Sequence, residues 1–160
     1  MNKAVLISIR PEWCEKIASG QKTIEVRKNR PKTEAPFKCY IYKTKCMCSV
    51  PQFVDEEGRI DFRGRGQVIG EFFCDRVYEC DADSNGLFDK HTKERLSGTC
   101  LDWAQIFHYT NGYMPLFGWH ISNLVIYDKP RELSEFYKSG FSSRITLTRP
   151  PISWCYVEEL

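Results

Sequence analysis

Between Val5 and Arg27 the chain writes a strand, a short helix, a glycine and a second, charged strand in direct succession. Val5–Ile9 alternates as a strand that sets Leu6, Ser8 and Arg10 on one face. Pro11 suits an early helical turn, so Glu12–Ser19 is expected as a helix, and Gly20 ends it. In the segment that follows, Ile24 and Val26 point one way, and Thr23, Glu25 and Arg27 the other. Lys22 leaves the Gly20 turn with reach to either face. A unit this short can aim several polar side chains into one hollow; the plainer reading of the same residues is a solvated sheet face.

The rest of the chain reads as α+β. Phe37–Lys43 is a further strand, and residues 46–66 carry loop signals with room for a hairpin. Gln67–Val77 is a strong strand run, in which Gly70 marks a bulge or a close approach. Residues 81–98 are polar, are broken by Gly86 and Gly98, and read as a surface excursion. Thr99-Cys100-Leu101-Asp102 has the spacing of a capping box and predicts a helix opening at Thr99. That helix carries an apolar stripe of Trp103, Ile106, Phe107 and Thr110, and Asn111-Gly112 stops it. Trp119–Tyr127 and Trp154–Val157 are the remaining strands. Strands outnumber helices and follow one another in sequence. The expectation is a small, mainly antiparallel β-barrel with two or three flanking helices.

With 160 residues, 42% of them hydrophobic, the chain has the length of one domain, here residues 1–160, and enough apolar surface for a real core. No apolar run approaches the roughly 18–20 residues needed to span a bilayer. Arg10-Pro11-Glu12 interrupts the only segment resembling a secretion signal, so a cytoplasmic protein without membrane attachment is expected.

Eight cysteines invite a disulfide reading, but a reducing compartment favours free, mostly buried thiols. Cys39, Cys46, Cys48 and Cys80 are the one set that would gather zinc. Cys46-Met47-Cys48 is a poor bite and Cys39 sits in an apolar strand, so neither metal nor cofactor is expected. Net charge is only +2, which rules out a polycation. Its distribution is uneven: Lys22, Arg27, Lys28, Arg30, Lys32, Lys38, Lys43 and Lys45 face only Glu25 and Glu34, and Arg59, Arg63 and Arg65 form a second basic run. Such clustering is what a phosphate-backbone footprint needs; a locally basic solvated surface has the same composition.

Two blocks of residues carry a family resemblance. The first is Ser8-Ile9-Arg10-Pro11, Lys16-Ile17 and Gly20-x-Lys22-x-x-Glu25-x-Arg27. The second is Thr99-Cys100-Leu101, Gly118-Trp119-His120-Ile121-Ser122 and the run from Asn123 to Phe136. Together they resemble the ASCH family, a branch of the PUA-like β-barrels, in the longer form met in phage and bacterial genomes. The resemblance implies a cleft lined by Lys22, Glu25 and Arg27, with Ser8 and Arg10 from the neighbouring strand and Trp119 and Ser122 as a wall. It also implies RNA, or a modified nucleoside or nucleotide, as partner. Arginine and lysine suit phosphate or a base carbonyl, glutamate accepts an amino proton, and an aromatic ring stacks.

Some small ASCH proteins are amidohydrolases that deacylate modified cytidine, using a lysine, a threonine three residues later and a glutamate. Here Lys22 stands at the lysine, but Glu25 occupies the threonine position. Thr23 is the nearest hydroxyl and Glu94 the closest match to the glutamate. The resemblance therefore ranks nucleic-acid or nucleotide binding first. Hydrolysis through Lys22 and Glu25 comes second, and a protein-interaction module third. Each candidate has a structural reading beside it: Glu25–Arg27 as an ion pair, Trp119 as core, His120 as a hydrogen-bonded structural histidine. Cys100, near the expected helix start, lacks an evident base.

Overall fold

The computed structural model of the chain describes residues 2–45, 53–54, 58, 60–61, 66–80, 90–112 and 115–160. Among the described residues, eight strands run in the order β1 (Lys3–Ile9), β2 (Ile24–Arg27), β3 (Phe37–Lys43), β4 (Phe53–Val54), β5 (Ile60–Asp61), β6 (Gln67–Cys80), β7 (Leu116–Arg131) and β8 (Trp154–Glu158). The helices are α1 (Pro11–Ala18), α2 (Lys90–Ser97) and α3 (Trp103–Thr110), with a 3-10 turn at Leu133–Glu135. Six strands form one sheet in the order β2-β7-β6-β3-β1-β8, while β4 and β5 pair as the hairpin anticipated between residues 46 and 66. The architecture is α+β, as the pattern of elements implied.

The chain divides into two compact units: residues 1–15, 38–71 and 125–160, and residues 16–37 and 72–124. In the first, β1 pairs in parallel with β3 and antiparallel with β8. A strand with partners on both edges and cover on both faces has no solvated side. Accordingly, Ala4 to Ile9 are all buried, Ser8 among them, rather than alternating in and out. Leu6, Tyr40, Tyr42, Val68, Phe136 and Val157 pack into one apolar cluster, and the Tyr40 and Phe136 rings meet edge-on at 4.9 Å. Within this unit Lys38 lies 3.0 Å from Glu71, to which the Tyr127 hydroxyl also donates. Burial pushes the Glu71 carboxyl up, but these two partners outweigh it and hold the group below its usual range.

In the second unit Val26, Cys80, Leu96, Ile106 and Leu116 form the core, and Trp119 is fully buried with its ring edge-on to Phe37 at 5.6 Å. Burial pushes the Cys74 thiol up to about 12, which makes it an inert core group. Two expectations fail here. The polar excursion contains helix α2, whose core contact rests on Thr92 and Leu96 alone; residues 81–89 lie outside the described ones. One buried pair at i, i+4 is too thin a stripe to register as periodicity.

The following helix opens at Trp103, not Thr99. The Thr99 hydroxyl donates to Leu96 O at 2.6 Å and so closes α2. Cys100 is left-handed (φ 59°), outside the right-handed helical region. Asp102 is the true cap: its carboxylate accepts from Gln105 N at 2.8 Å while the Gln105 side chain accepts from Asp102 N at 2.9 Å. The helix ends at left-handed Asn111, as the Asn-Gly pair predicts.

Gly70 is the close approach its position in β6 suggested. A Cβ there would strike the backbone carbonyl of Val125 and crowd the Cα of Ile126, backbone atoms that cannot swing aside. Gly70→Ala is expected to lower unfolding free energy by about 1–3 kcal/mol through overpacking. Urea unfolding of the two proteins checks this, and an unchanged midpoint would contradict the packing described.

Candidate functional site

The charged strand is where sequence and structure part most clearly. Its polar face is covered: Lys22 is 2% exposed and Glu25 6%. Thr23 N and Ile24 N both donate to Gly98 O at the turn after α2. A Cβ on Gly98 would come within 2.6 Å of the Thr23 hydroxyl, so only glycine lets strand and turn meet so closely. The Lys22 ammonium is fixed by three acceptors, Thr99 O at 2.7 Å, Ile24 O at 2.9 Å and Glu25 Oε2 at 3.3 Å. Arg27 holds the other Glu25 oxygen at 3.1 Å. Three ammonium protons meet three acceptors, and both carboxylate oxygens are taken.

The other residues assigned to a cleft from the sequence are placed as follows. Ser8 belongs to the first unit, where its hydroxyl donates to Pro151 O at 2.6 Å. Arg10 is exposed just before α1. Trp119 faces protein on every side, as its complete burial requires. The Ser122 hydroxyl donates to Phe73 O at 2.8 Å across the β6–β7 pair.

An open concavity of the second unit lies elsewhere. A cleft of about 340 Å³ is lined by Thr23 and Ile24 at the head of β2, by Tyr78 and His120 on β6 and β7, and by α2 and its terminal turn through His91, Glu94, Arg95, Ser97 and Gly98. Thr23 and Glu94, the two weaker candidates from the sequence, line the same cleft. His120 is held from β6: its Nδ1 lies 2.6 Å from Asp75 Oδ1. The hydrogen bond from His120 is the main cause that keeps the Asp75 carboxyl below the usual range, so the aspartate is the ionised, accepting partner. Nδ1 then carries the proton, and in the neutral ring Nε2 is left as the basic nitrogen.

The Tyr78 ring meets His120 edge-on at 6.5 Å and carries the Arg95 guanidinium over its face at 4.7 Å. A stacked guanidinium keeps its in-plane N–H fork for an anion. Glu94 lies 3.9 Å from His91 and 3.9 Å from Lys90, with all three side chains largely exposed. The cleft thus combines a positioned base, a pre-oriented cation, hydroxyls and a carboxylate. Sequence spacing gave no sign of it, because Asp75, Tyr78, Arg95 and His120 meet only through the β6–β7 pairing and the packing of α2.

Among the described residues, four of the eight cations between Lys22 and Lys45 are paired with carboxylates. Lys22 and Arg27 are spent on Glu25, Lys38 on Glu71, and Lys43 on Glu15 at 3.1 Å. Arg59, Arg63 and Arg65 lie outside the described residues, as do Cys46 and Cys48 of the zinc reading. Cys39 and Cys80 are buried in different units. Among the described residues no group of three or more His, Cys, Asp or Glu could hold a metal ion, and no helix is long and apolar enough to cross a membrane.

Two outcomes follow from this geometry. Lys22→Met strips two buried carbonyls and Glu25 of their donor. A stability loss of roughly 3 kcal/mol is expected, at the low end for breaking a buried pair because Arg27 still holds Glu25; a loss under ~1 kcal/mol in urea unfolding would refute the clamp. For Asp75, a depressed folded-state pKa means that the stabilisation is present above the unfolded value of about 3.9 and disappears as pH falls through the folded one. Carboxyl-carbon NMR titration should put its midpoint below 3.9, and His120→Ala should move it back up toward that value. A midpoint unmoved by the substitution would show that the pair is not formed.

The fold has known counterparts. An ASCH structure from Zymomonas mobilis superposes with a TM-score of 0.66 at 19% identity, covering 98% of this chain and 88% of the other. Two mutant structures of that protein give 0.66 at 18% identity, over 98% and 89% of the two chains, and 0.64 at 20%, over 99% and 92%. None of the curated proteins matches the sequence. The model of the ASCH domain matches residues 7–114, from β1 through the end of α3 and most of the cleft. The chain belongs to the ASCH domain family.

Proposed function

We propose that this protein binds RNA or a free nucleotide in the cleft between the head of β2, the β6–β7 pair and α2. The observation that carries the reading is Arg95 stacked on Tyr78 beside a histidine anchored by Asp75, in an open hollow of about 340 Å³. That volume is at the lower end of ordinary ligand sites, enough for one nucleotide unit with its phosphate toward solvent. Arg95 meets the phosphate bidentately, Thr23 and Ser97 offer hydroxyls, and Glu94 accepts from an exocyclic amine. Lys22, Glu25 and Arg27, first placed at the ligand, act in this reading beneath it, holding β2 to the turn that forms the cleft's edge.

Hydrolysis of an N-acylated cytidine is the second reading, and a specific observation favours keeping it. Thr23, Glu94 and His120 all line one cleft. Glu25, with both oxygens engaged, is poorly suited as a base. His120 Nε2 would instead take a proton from water as its oxygen attacks the acyl carbonyl. The same proton then leaves on the departing amine, giving free cytidine and the carboxylic acid.

Calorimetric titration with the four nucleoside monophosphates and with short RNA separates these outcomes, with product analysis on acylated cytidines. Arg95→Ala should weaken binding about tenfold or more, as expected for loss of a charge-assisted contact. Turnover lost in His120→Ala would make the protein a hydrolase. Absence of both binding and turnover would leave the protein-interaction module as the standing alternative.

A further inference from the structure

The first unit carries an aromatic and cationic surface on strand β8 that takes no part in the cleft. Val157 is buried in the apolar cluster and Cys155 packs against it, so Trp154, Tyr156 and Glu158 point to the opposite face. The Trp154 and Tyr156 rings meet edge-on at 5.4 Å. On this face the Lys3 ammonium, from the neighbouring β1, stands 5.0 Å over the Tyr156 ring. On the other side of β8 the chain near Tyr137 is bonded to the strand: Glu158 N donates to Tyr137 O and Ser139 N to Tyr156 O. There the Arg144 guanidinium lies 5.0 Å over the Tyr137 ring. Arg144 also neutralises Glu158, with Nε 3.4 Å from the carboxylate, yet its own side chain stays 62% exposed while Glu158 is 9% exposed.

Two half-buried rings that meet on β8, a third on the segment paired with Glu158, and a cation over each of Tyr156 and Tyr137 form neither a core nor an ordinary charged surface. An apolar core would exclude Lys3 and Arg144; a surface evolved for solubility alone has no use for three adjacent aromatics. The combination suits a chain that presents flat π-faces at regular intervals and a negative charge at each link. We propose that this face of β8 is a stacking track for single-stranded nucleic acid, with bases laid against Trp154, Tyr156 and Tyr137 and phosphates drawn to Lys3 and Arg144. Base–aromatic stacking is indifferent to sequence, so the track would add affinity and length rather than selectivity. It shares the ligand class proposed for the cleft, but none of its residues.

The test uses the intact protein and two probes. One is a labelled oligouridylate of about 12 nucleotides, within the usual footprint of such surfaces; the other is uridine monophosphate. Lys3→Gln/Arg144→Gln alters exposed side chains, and the amide placed at 144 can still donate to Glu158, so the fold should be kept; urea unfolding of the variant checks this. It is expected to weaken the oligomer about tenfold and to lower the salt slope by about one, while leaving the mononucleotide unchanged. Oligomer binding should also quench tryptophan emission, and Trp154→Phe should remove that quench.

Unchanged oligomer affinity and salt slope in the double variant would overturn the track, as would a quench that survives Trp154→Phe. Failure of wild-type protein to bind any oligomer would overturn it too. Oligomer binding sensitive to the double variant, without mononucleotide binding, would sustain the track and defeat the cleft reading. Mononucleotide binding lost in Arg95→Ala, with an oligomer response blind to the double variant, would do the reverse.

Discussion

The second unit depends on one buried ammonium. Lys22 has given up nearly all hydration, a cost met only because each of its three protons finds an acceptor. Those acceptors come from two separate stretches of chain, Ile24 and Glu25 on β2 and Thr99 at the turn after α2. Fixing the lysine therefore fixes the spacing of strand and turn, and the glycine at 98 lets that spacing close. Thr23, whose backbone N–H reaches Gly98 O, is carried along into the cleft wall. A charged residue that touches no ligand can in this way decide the shape of a ligand site. Its removal would register as lost stability and misplaced walls together.

How much of this could be read from the residues depends on the range of the interaction. The strands β1, β3 and β8, the end of α3 at Asn111, and the close approach at Gly70 are local or near-local signals, and the structure carries all of them. Errors arose where tertiary contacts override local patterns. Thr99 has the residue type and spacing of a cap, yet its hydroxyl is drawn back to Leu96 O, and Asp102 with Gln105 forms the capping box instead. Helix α2 has two core contacts, too few to show as a stripe. Alternation correctly separated Ile24 and Val26 from Glu25. It could not foresee that both faces of so short a strand are covered, because cover is a property of the sheet order and of α2.

The candidate site was legible in the same partial way. Thr23, Glu94 and His120 were visible as residue types, but without Asp75 and Tyr78 they had no chemistry. Asp75 stands far from His120 in sequence, and only the pairing of β6 with β7 sets its carboxylate at the imidazole nitrogen. The ASCH resemblance pointed to the strand that borders this cleft. It weighted the buried trio of Lys22, Glu25 and Arg27 above the side chains that open on the cleft.

The fate of the basic residues bears on how charge should be read in such chains. Clustering between Lys22 and Lys45 suggested a continuous footprint for a polyanion. In the folded chain half of those cations are held by carboxylates: Glu25 takes Lys22 and Arg27, Glu71 takes Lys38, and Glu15 takes Lys43. A cation largely buried against its carboxylate, as Lys22, Arg27 and Lys38 are, has little left to offer a phosphate, whereas Arg144 beside Glu158 keeps most of its guanidinium in solvent. The cations with most to offer are those seated on aromatic rings: Arg95 on Tyr78, Lys3 on Tyr156 and, from the cluster itself, Lys28 on Tyr109 and Arg30 on Phe117. A ring positions such a group without neutralising it. Electrostatic recognition by this protein therefore depends less on how many basic residues it carries than on which of them rest against a π-face.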